Sequence, residues 1–291
     1  MKILIFGSSG MLGHKLVQQL SPAAEVWGTV RGGRAEPLTS RILGDFQCIP
    51  NIEAGDEASV REAIAIARPD VVINAVGIVK QLPTSKDVIK TLTINSILPH
   101  RLAQFSEEFG FRLFTISTDC VFDGEKGNYT EQDRPNAVDL YGKSKELGEV
   151  QTGNALTIRT SIIGRELGSP HSLVDWFLSN QGGKVKGFRQ AIYTGFPTII
   201  LADIIKKLIF EHRELRGLYH VSSEPINKYD LLCLLKEYYG ANIEIEPSDE
   251  LRIDRSLNSS RFRGETGFKP LEWREMIEQM VSDPTPYQEW K

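Results

Sequence analysis

Cysteine is scarce in this chain: its 291 residues include only Cys48, Cys120 and Cys233. An odd number of cysteines, spaced this far apart, argues against a disulfide framework and against a C-x-x-C metal site. The five histidines form neither an H-x-x-x-H pair nor a cluster with cysteine, so we expect no bound metal. Each cysteine is instead expected to be a small packed side chain.

Long hydrophobic runs are also missing. The N-terminal MKILIFGSSGMLG has one short apolar run before its glycines, and no run approaches the roughly 18 residues that a membrane-spanning helix needs. The formal net charge is −4 and the basic residues are scattered, which gives no electrostatic footprint for nucleic acid. We therefore expect a cytoplasmic protein that binds neither a membrane nor nucleic acid.

The first half of the chain alternates between strand and helix patterns. Strand patterns occur at KILIF, EVWGTV, DVVINAVG and FRLFTIST, and helical patterns lie between them at GMLGHKLVQQL, ASVREAIAIARP and residues 87–109. Strands separated by helices of this length predict parallel βαβ units and a Rossmann-type, doubly wound α/β fold. Pro99 lies within the last helical pattern and is expected to kink or divide that helix.

The pattern changes after Arg159. Helical stretches at SPHSLVDWFL, TIILADIIKKLIFE and NKYDLLCLLKEYYG are mixed with short strands at GLYHV and ANIEIEP. Such a mixture suits a smaller lobe that covers the open edge of a sheet. We therefore predict a Rossmann domain over residues 1–160 and a smaller lobe over residues 161–291, with the chain free to cross back between the two.

The first strand pattern runs directly into a glycine loop, G-x-x-G-x-x-G, that opens a helix. Glycines at this position allow a tight turn and a close approach of the backbone to a pyrophosphate, whose charge is favoured at a helix N-terminus. A merely tight βα turn is the alternative. We predict cofactor contacts from Gly7, Ser9, Gly10, Met11, Leu12 and Gly13.

The end of the second strand pattern carries no acid that could accept from a ribose 2′-hydroxyl. It reads VWGTVRGG, and Arg31 is placed to meet a 2′-phosphate, which favours NADPH. NADH stays open because Glu25 begins the same strand and predicted strand ends are uncertain by a few residues, so Arg31 could be a solvated loop residue. Asp45 and Phe46 follow the next apolar run and are expected near the adenine.

Tyr141 and Lys145 lie four residues apart in YGKSKE, at the start of a predicted helix, so their side chains share one face. A nearby cation lowers the pKa of a tyrosine, and a shift of about three units takes roughly 4 kcal/mol. Tyr141 would then transfer a proton near neutral pH. The same spacing is also common by chance, with an exposed tyrosine packed on a lysine stem.

Four motifs in order, GSSGMLG, NAVG, Ser117-Thr118-Asp119 and YGKSK, resemble the extended short-chain dehydrogenase/reductase superfamily. STDCVFDG followed by YGKSKELGE is most similar to the dTDP-4-dehydrorhamnose reductase family. The resemblance implies that Tyr141 delivers a proton to a substrate carbonyl, that Thr118 hydrogen-bonds this oxygen, and that Lys145 binds the nicotinamide ribose and lowers the tyrosine pKa. It also implies cofactor contacts from Asn74, Ala75, Val76, Gly77 and Asn95.

The resemblance implies a substrate as well: a nucleoside-diphosphate sugar with a 4-keto group and a 6-deoxy carbon, used for cell-surface polysaccharide. The related 4,6-dehydratases follow the threonine with an Asp-Glu pair, where this chain has Asp119 and Cys120. Net dehydration is therefore not expected, and both residues are expected at the substrate. Candidate cations for the substrate pyrophosphate, each with surface charge as the alternative, are Lys184, Lys186, Arg189 and Arg255.

Two other functions stay open. One is a sugar-nucleotide epimerase or epimerase-reductase, which needs additional acid and base residues. The other is a non-catalytic, cofactor-binding regulatory subunit, because relatives with this fold include a partner of a methionine adenosyltransferase. Intact Thr118, Tyr141 and Lys145 argue against the second, since a binding subunit needs no proton donor. The resemblance also implies a homodimer, which no apolar stripe in the sequence supports independently.

Overall fold

A seven-stranded parallel sheet forms the centre of the computed structural model, which describes residues 1–32, 43, 46–80, 83–168 and 171–289. The strand order is β10-β6-β5-β4-β1-β2-β3. These strands are β1 (Lys2–Phe6), β2 (Glu25–Thr29), β3 (Gln47–Ile49), β4 (Val71–Asn74), β5 (Arg112–Thr118), β6 (Ala155–Thr160) and β10 (Gly217–His220). The Rossmann-type, doubly wound fold predicted from the sequence is confirmed.

Helices cover both faces of this sheet. They include α1 (Gly13–Leu20), α2 (Glu57–Ala67), α3 (Val88–Leu92), α4 (Leu98–Phe109) and α5 (Leu140–Leu147). Because side chains alternate along a strand, Ile3 and Ile5 enter one hydrophobic core while Leu4 and Phe6 enter the other. Strands buried on both faces read as the continuous apolar runs that the sequence shows, such as KILIF and DVVIN.

The helical pattern at residues 87–109 is divided, as Pro99 indicates. A π-helical segment, Thr93–Ile97, separates α3 from α4, and Pro99 lies in the first turn of α4. Proline is tolerated there because its missing N–H has no helical partner to lose. The π-helical segment contains Asn95, whose side chain is turned into the protein interior.

The second half builds two small sheets and returns once to the large one. The small sheets contain β7 (Ile162–Ile163), β8 (Lys184–Tyr193), β9 (Phe196–Pro197), β11 (Ile226–Asn227) and β12 (Glu244–Asp254). The accompanying helices are α6 (Leu173–Leu178), α7 (Thr198–Phe210), α8 (Lys228–Tyr239), α9 (Ser260–Thr266) and α10 (Trp273–Val281). None of the helices in the described ranges is long and apolar enough to cross a membrane.

The GLYHV strand was predicted for the smaller lobe, and its position is a correction. As β10 it pairs in parallel with β6, from Gly217 opposite Leu156 to His220 opposite Arg159. The preceding helix α7 supplies the crossover that parallel pairing requires. The chain therefore crosses back to the large sheet, while the boundary at residues 160 and 161 stays a prediction.

Candidate active site

The carboxyl ends of four adjacent strands carry the candidate residues to one edge of the sheet. The glycine loop follows β1, Arg31 follows β2, residues 74–77 end β4 and leave it, and Thr118 ends β5. The strand order reverses between β1 and β4, because β2 and β3 extend the sheet on one side of β1 and β4 to β6 extend it on the other. Ligands of open α/β sheets bind in the crevice at such a switch point.

The glycine loop has a shape that side chains would fill. Gly7 has φ +81°, in the left-handed region that favours glycine, and Gly10 N donates to Gly7 O at 3.0 Å. A Cβ on Gly13 would lie 2.0 Å from Gly7 O, so the helix start can approach the strand end only because this residue is glycine. This tight turn before a helix N-terminus fits a dinucleotide pyrophosphate.

The C-terminal segment is connected to the same glycine loop through His14. This connection was not predicted from the sequence. His14 follows Gly13, and its Nδ1–H donates to Gly10 O at 2.9 Å while Nε2 lies 3.0 Å from the Tyr287 hydroxyl. Burial lowers the pKa of His14 to about 4, so the imidazole is neutral near pH 7. A buried ion pair between Lys15 and Asp283 adds a second anchor. No sequence spacing connects residues this far apart.

The side of the crevice near β2 contains Phe46 and Arg31. A Cβ on Gly28 would lie 2.8 Å from Phe46 Cε2 and 2.6 Å from Ser8 Cβ, so Phe46 lies close over the strand beside the glycine loop. Arg31 is exposed just past the end of β2. The predicted contact of Asp45 lies outside the described residues.

Residues 74–77 form the next wall and lie against the glycine loop. A Cβ on Gly7 would be 3.0 Å from Val76 Cγ2, and Ala75 N donates to Phe6 O at 3.1 Å. Asn74 is buried and accepts a hydrogen bond from Val76 N at 3.2 Å, which fixes the turn. The loops after β1 and β4 are therefore in contact, as a shared cofactor site requires.

Asn95 joins this loop to the helix that carries the candidate catalytic pair. Its Oδ1 accepts from Ile78 N at 2.8 Å, and its Nδ2 donates to Ile78 O at 2.9 Å and to Ser144 Oγ at 3.0 Å. Asn95 is only 1% exposed. The Asn95 side-chain amide therefore joins the loop after β4 to α5.

Thr118, Tyr141 and Lys145 come together at the end of β5. Helix α5 begins at an Asp139 cap, whose Oδ1 accepts from Gly142 N at 2.9 Å. The Thr118 side chain lies close enough to the Tyr141 phenol to lower its pKa by hydrogen bonding, and Lys145 Nζ donates to the carbonyl oxygen of Ile116 at 2.6 Å. The structure therefore assembles the strand-end hydroxyl, the phenol and the ammonium predicted from sequence.

The predicted lowering of the tyrosine pKa is wrong for this structure. Burial raises the pKa of Tyr141, and the hydrogen bond from Thr118 opposes that shift only in part. Burial also lowers the pKa of Lys145 to about 8, against the raising effect of the Glu149 carboxylate. The interior disfavours both charged forms, so Tyr141 is a protonated phenol near neutral pH. It is therefore available as an acid.

Asp119 and Cys120 lie beside these groups. Thr118 Oγ1 donates to Asp119 Oδ1 at 3.1 Å, and burial raises the pKa of Asp119 while the Arg255 charge lowers it. Burial raises the pKa of Cys120 to about 11, so its side chain is a protonated thiol near neutral pH and not a nucleophilic thiolate. Arg255 Nε donates to Phe122 O at 2.7 Å, so of the four candidate cations Arg255 reaches this site.

The structure does not bring Lys184, Lys186 and Arg189 to the site. All three are exposed on β8, where each pairs with an acid of the neighbouring strand β12. The partners are Glu244 at 3.1 Å from Lys184, Glu250 at 2.8 Å from Lys186, and Asp249 beside Arg189. These cations are strand-surface ion pairs, so their predicted role in binding pyrophosphate has no support here.

Lys80 is a further charged residue at the site that sequence reasoning missed. Its Nζ donates to Asp139 Oδ2 at 2.8 Å and lies 5.6 Å from the ring centre of Tyr141. The ammonium therefore connects the loop after β4 to the start of α5. No motif spacing marks Lys80, although it follows the quoted NAVG by three residues.

The residues that the structure describes form no side-chain grouping that binds metal ions. No group of three or more His, Cys, Asp or Glu side chains there could hold a metal ion. The arrangement supplies a partly buried acid, a hydrogen-bonding hydroxyl and a cation beside a cradle for a dinucleotide. These groups suit proton transfer to an oxygen atom next to a bound cofactor.

Known proteins resemble this chain over most of its length. The family described as RmlD substrate binding domain matches residues 1–285. The spore coat polysaccharide biosynthesis protein SpsK of Bacillus subtilis (strain 168) is 30% identical and covers 97% of this chain and 97% of its own. A dTDP-4-dehydrorhamnose reductase of Aggregatibacter actinomycetemcomitans is 27% identical, with 79% and 76% covered. Methionine adenosyltransferase 2 subunit beta of Danio rerio is 26% identical, with 82% and 74% covered.

Solved structures share the fold. A hypothetical dTDP-4-dehydrorhamnose reductase from Sulfolobus tokodaii has a TM-score of 0.77 and 30% identity, with 94% of this chain and 98% of that chain covered. A dTDP-4-dehydrorhamnose reductase from Bacillus anthracis str. Ames, in complex with NADP, has a TM-score of 0.78 and 21% identity, with 96% and 98% covered. These likenesses agree with the Rossmann-type fold of this chain.

Proposed function

Because the chain belongs to the RmlD substrate binding domain family, we propose that it is an NADPH-dependent reductase of a nucleotide-linked 4-keto-6-deoxy sugar. One observation carries the proposal: Thr118, Tyr141 and Lys145 meet at the sheet edge that also holds the glycine loop. A proton donor next to a dinucleotide cradle is what carbonyl reduction needs.

In this proposal Tyr141 is the acid. Its hydroxyl hydrogen passes to the substrate carbonyl oxygen, which the Thr118 hydroxyl also holds, and the raised pKa of Tyr141 keeps the phenol protonated for this step. Lys145 adds positive charge near the developing negative charge. NADPH, when bound, supplies the hydride. The Asn95 and Asp139 contacts hold α5 in place, so the donor is preorganised.

Two competing functions are less well supported. A regulatory subunit, the function in the name of the Danio rerio relative, would not need the partly buried acid and its hydroxyl partner. A dehydratase would need a second carboxylate after Asp119, where this chain has the Cys120 thiol. An epimerase would recycle its cofactor, so net consumption of NADPH separates it from the proposed reductase.

The proposed reaction is tested by absorbance of the reduced nicotinamide. Purified protein and NADPH are mixed with a panel of 4-keto-6-deoxy sugar nucleotides that differ in base and stereochemistry. The reductase should consume NADPH with at least one member of the panel and leave it unchanged with the corresponding 4-hydroxy sugars. Tight binding of NADPH without consumption by any member would instead favour the regulatory subunit.

Arg31 is proposed to select NADPH over NADH. Removing its charge in Arg31→Ala should raise KM for NADPH by about 10- to 100-fold, since a charge-assisted phosphate contact contributes about 1.5–3 kcal/mol. KM for NADH, which has no 2′-phosphate, should change little. Arg213→Ala removes another exposed arginine, beyond α7, and is the matched control. Equal effects of Arg31→Ala on the two cofactors would contradict this role.

A further inference from the structure

Three successive residues at the end of β5, Ile116, Ser117 and Thr118, each lie next to a charged or reactive side chain. The Ile116 carbonyl accepts from Lys145 Nζ at 2.6 Å, and Ser117 Oγ donates to Glu149 Oε1 at 2.6 Å. Thr118, the last residue of the strand, lies beside the Tyr141 phenol. Glu149 therefore occupies the position next to Lys145 along the strand, although the reductase proposal gives it no task.

Glu149 is paired with a buried arginine. Arg159 Nε donates to Glu149 Oε1 and Arg159 Nη2 donates to Glu149 Oε2, each at 2.7 Å. Both side chains are 3% exposed. Arg159 lies opposite Ser117 across β5 and β6 and opposite His220 across β6 and β10, so the pair lies beside β5, the strand that ends at Thr118. Such a buried bidentate pair has a fixed geometry.

We propose that Glu149, held in place by Arg159, is a positioning residue that keeps the Lys145 ammonium charged at the cofactor site. This inference rests on the proposed function, because it takes Lys145 to be a cofactor-binding cation. The buried carboxylate lies four residues after Lys145 and is fixed by Ser117 and Arg159, so its charge stays near the ammonium. No role in proton transfer is assigned to Glu149 itself.

The surroundings of Lys145 favour this assignment. Other charged groups on α5, at its start or on elements packed against it are Lys143 and Glu146 on the same helix, the Asp139 cap with its partner Lys80, Lys90 on α3, Arg112 on β5, and Asp119 just past β5. Unlike these groups, the Glu149 carboxylate raises the pKa of Lys145. Burial has the larger and opposite effect, and it lowers this pKa to about 8.

The other end of the buried network carries no second positive charge. His220 Nε2 lies 3.1 Å from Arg159 Nη1, and burial together with the Arg159 charge lowers the pKa of His220 to about 3. The imidazole is therefore neutral across the pH range in which Lys145 titrates. A change in Lys145 titration can then be assigned to Glu149 or Arg159.

The test is the pH dependence of NADPH affinity, measured by nicotinamide fluorescence, which requires no turnover. Lys145 is charged below its pKa of about 8, so affinity should fall as the pH rises through that value. Glu149→Gln removes the carboxylate charge and should move the midpoint down by about one unit. Arg159→Met leaves the carboxylate charge less neutralised and should leave the midpoint unchanged or move it up.

Matched variants separate a charge effect from a structural one. Glu146→Gln, on the same helix, should leave the midpoint unchanged. The double variant Glu149→Gln with Arg159→Gln leaves no unpaired buried charge, so it keeps the test available if a single variant does not fold. Its midpoint should also lie below the wild-type value, because the carboxylate is the charge that acts on Lys145.

Each outcome is decisive. An unmoved midpoint in the Glu149 variants, or an equal fall in the Glu149 and Arg159 variants, would overturn the assignment, even if the wild-type protein reduces a keto sugar. The expected shifts in a protein that reduces no keto sugar would support the role of Glu149 and overturn the reductase proposal. Failure of the wild-type protein to bind NADPH would overturn both.

Discussion

Replacing Tyr141 with phenylalanine should lower kcat by about three orders of magnitude and leave the Kd for NADPH within about twofold of the wild-type value. The change removes one hydroxyl and keeps the ring that lies beside Lys80. Because the hydroxyl is the proposed acid, its loss removes the proton donor and one of the two hydrogen bonds to the carbonyl oxygen. Steady-state kinetics and fluorescence titration measure the two effects separately.

Tyr238→Phe is the control for this substitution. Tyr238 lies on α8, away from the strand ends that form the site, so its hydroxyl should not affect kcat. If Tyr141→Phe retained activity within about fivefold of wild type, the proton donor would have to be another group. Loss of both turnover and NADPH affinity would instead indicate that the substitution disturbs the cofactor site.

Replacing Gly13 with alanine should reduce NADPH affinity by at least about 100-fold and lower the free energy of unfolding by about 2–3 kcal/mol. The new methyl group would lie 2.0 Å from Gly7 O and 3.0 Å from Ser8 Cα, so the backbone of the loop must move. No flexible side chain can relieve this contact. Movement of Gly7 and Ser8 displaces the turn that is proposed to hold the pyrophosphate.

Gly32→Ala is the matched control, because a Cβ there has nothing within 4 Å. Its NADPH affinity and thermal unfolding should match those of the wild-type protein. Wild-type affinity in Gly13→Ala would show that the loop tolerates the displacement and that the pyrophosphate lies elsewhere. A loss of stability with unchanged affinity would separate the structural role of the turn from cofactor binding.

The sequence was sufficient for the doubly wound fold because its strands are buried on both faces and read as apolar runs. Among the strands that were missed, β3 has only three residues, β6 is buried along its length but was not recognised, and β8 carries exposed charges. A return of the chain between the lobes was allowed for, but it could not be assigned to GLYHV, because this apolar stretch has the same pattern in either sheet. That placement depends on packing around α7, which is a tertiary property.

The candidate site was predictable where spacing along one element determines it. Tyr141 and Lys145 share a helix face, and Thr118 follows from the order of the motifs. The direction of the tyrosine pKa shift was not predictable, because burial is its largest cause and no spacing reports burial. The pairing of Lys184 with Glu244 was equally invisible, since strand register joins residues that are distant in sequence.

The central claim is net reduction of a sugar carbonyl, and transfer of an isotopic label tests it most directly. The protein would be incubated with NADPH that carries deuterium at both C4 positions and with the 4-keto sugar nucleotide that turns over, followed by mass spectrometry of the product. The account predicts one deuterium at the former carbonyl carbon and one NADP⁺ formed for each sugar converted. An isomerised sugar without deuterium, formed without net oxidation of NADPH, would contradict it.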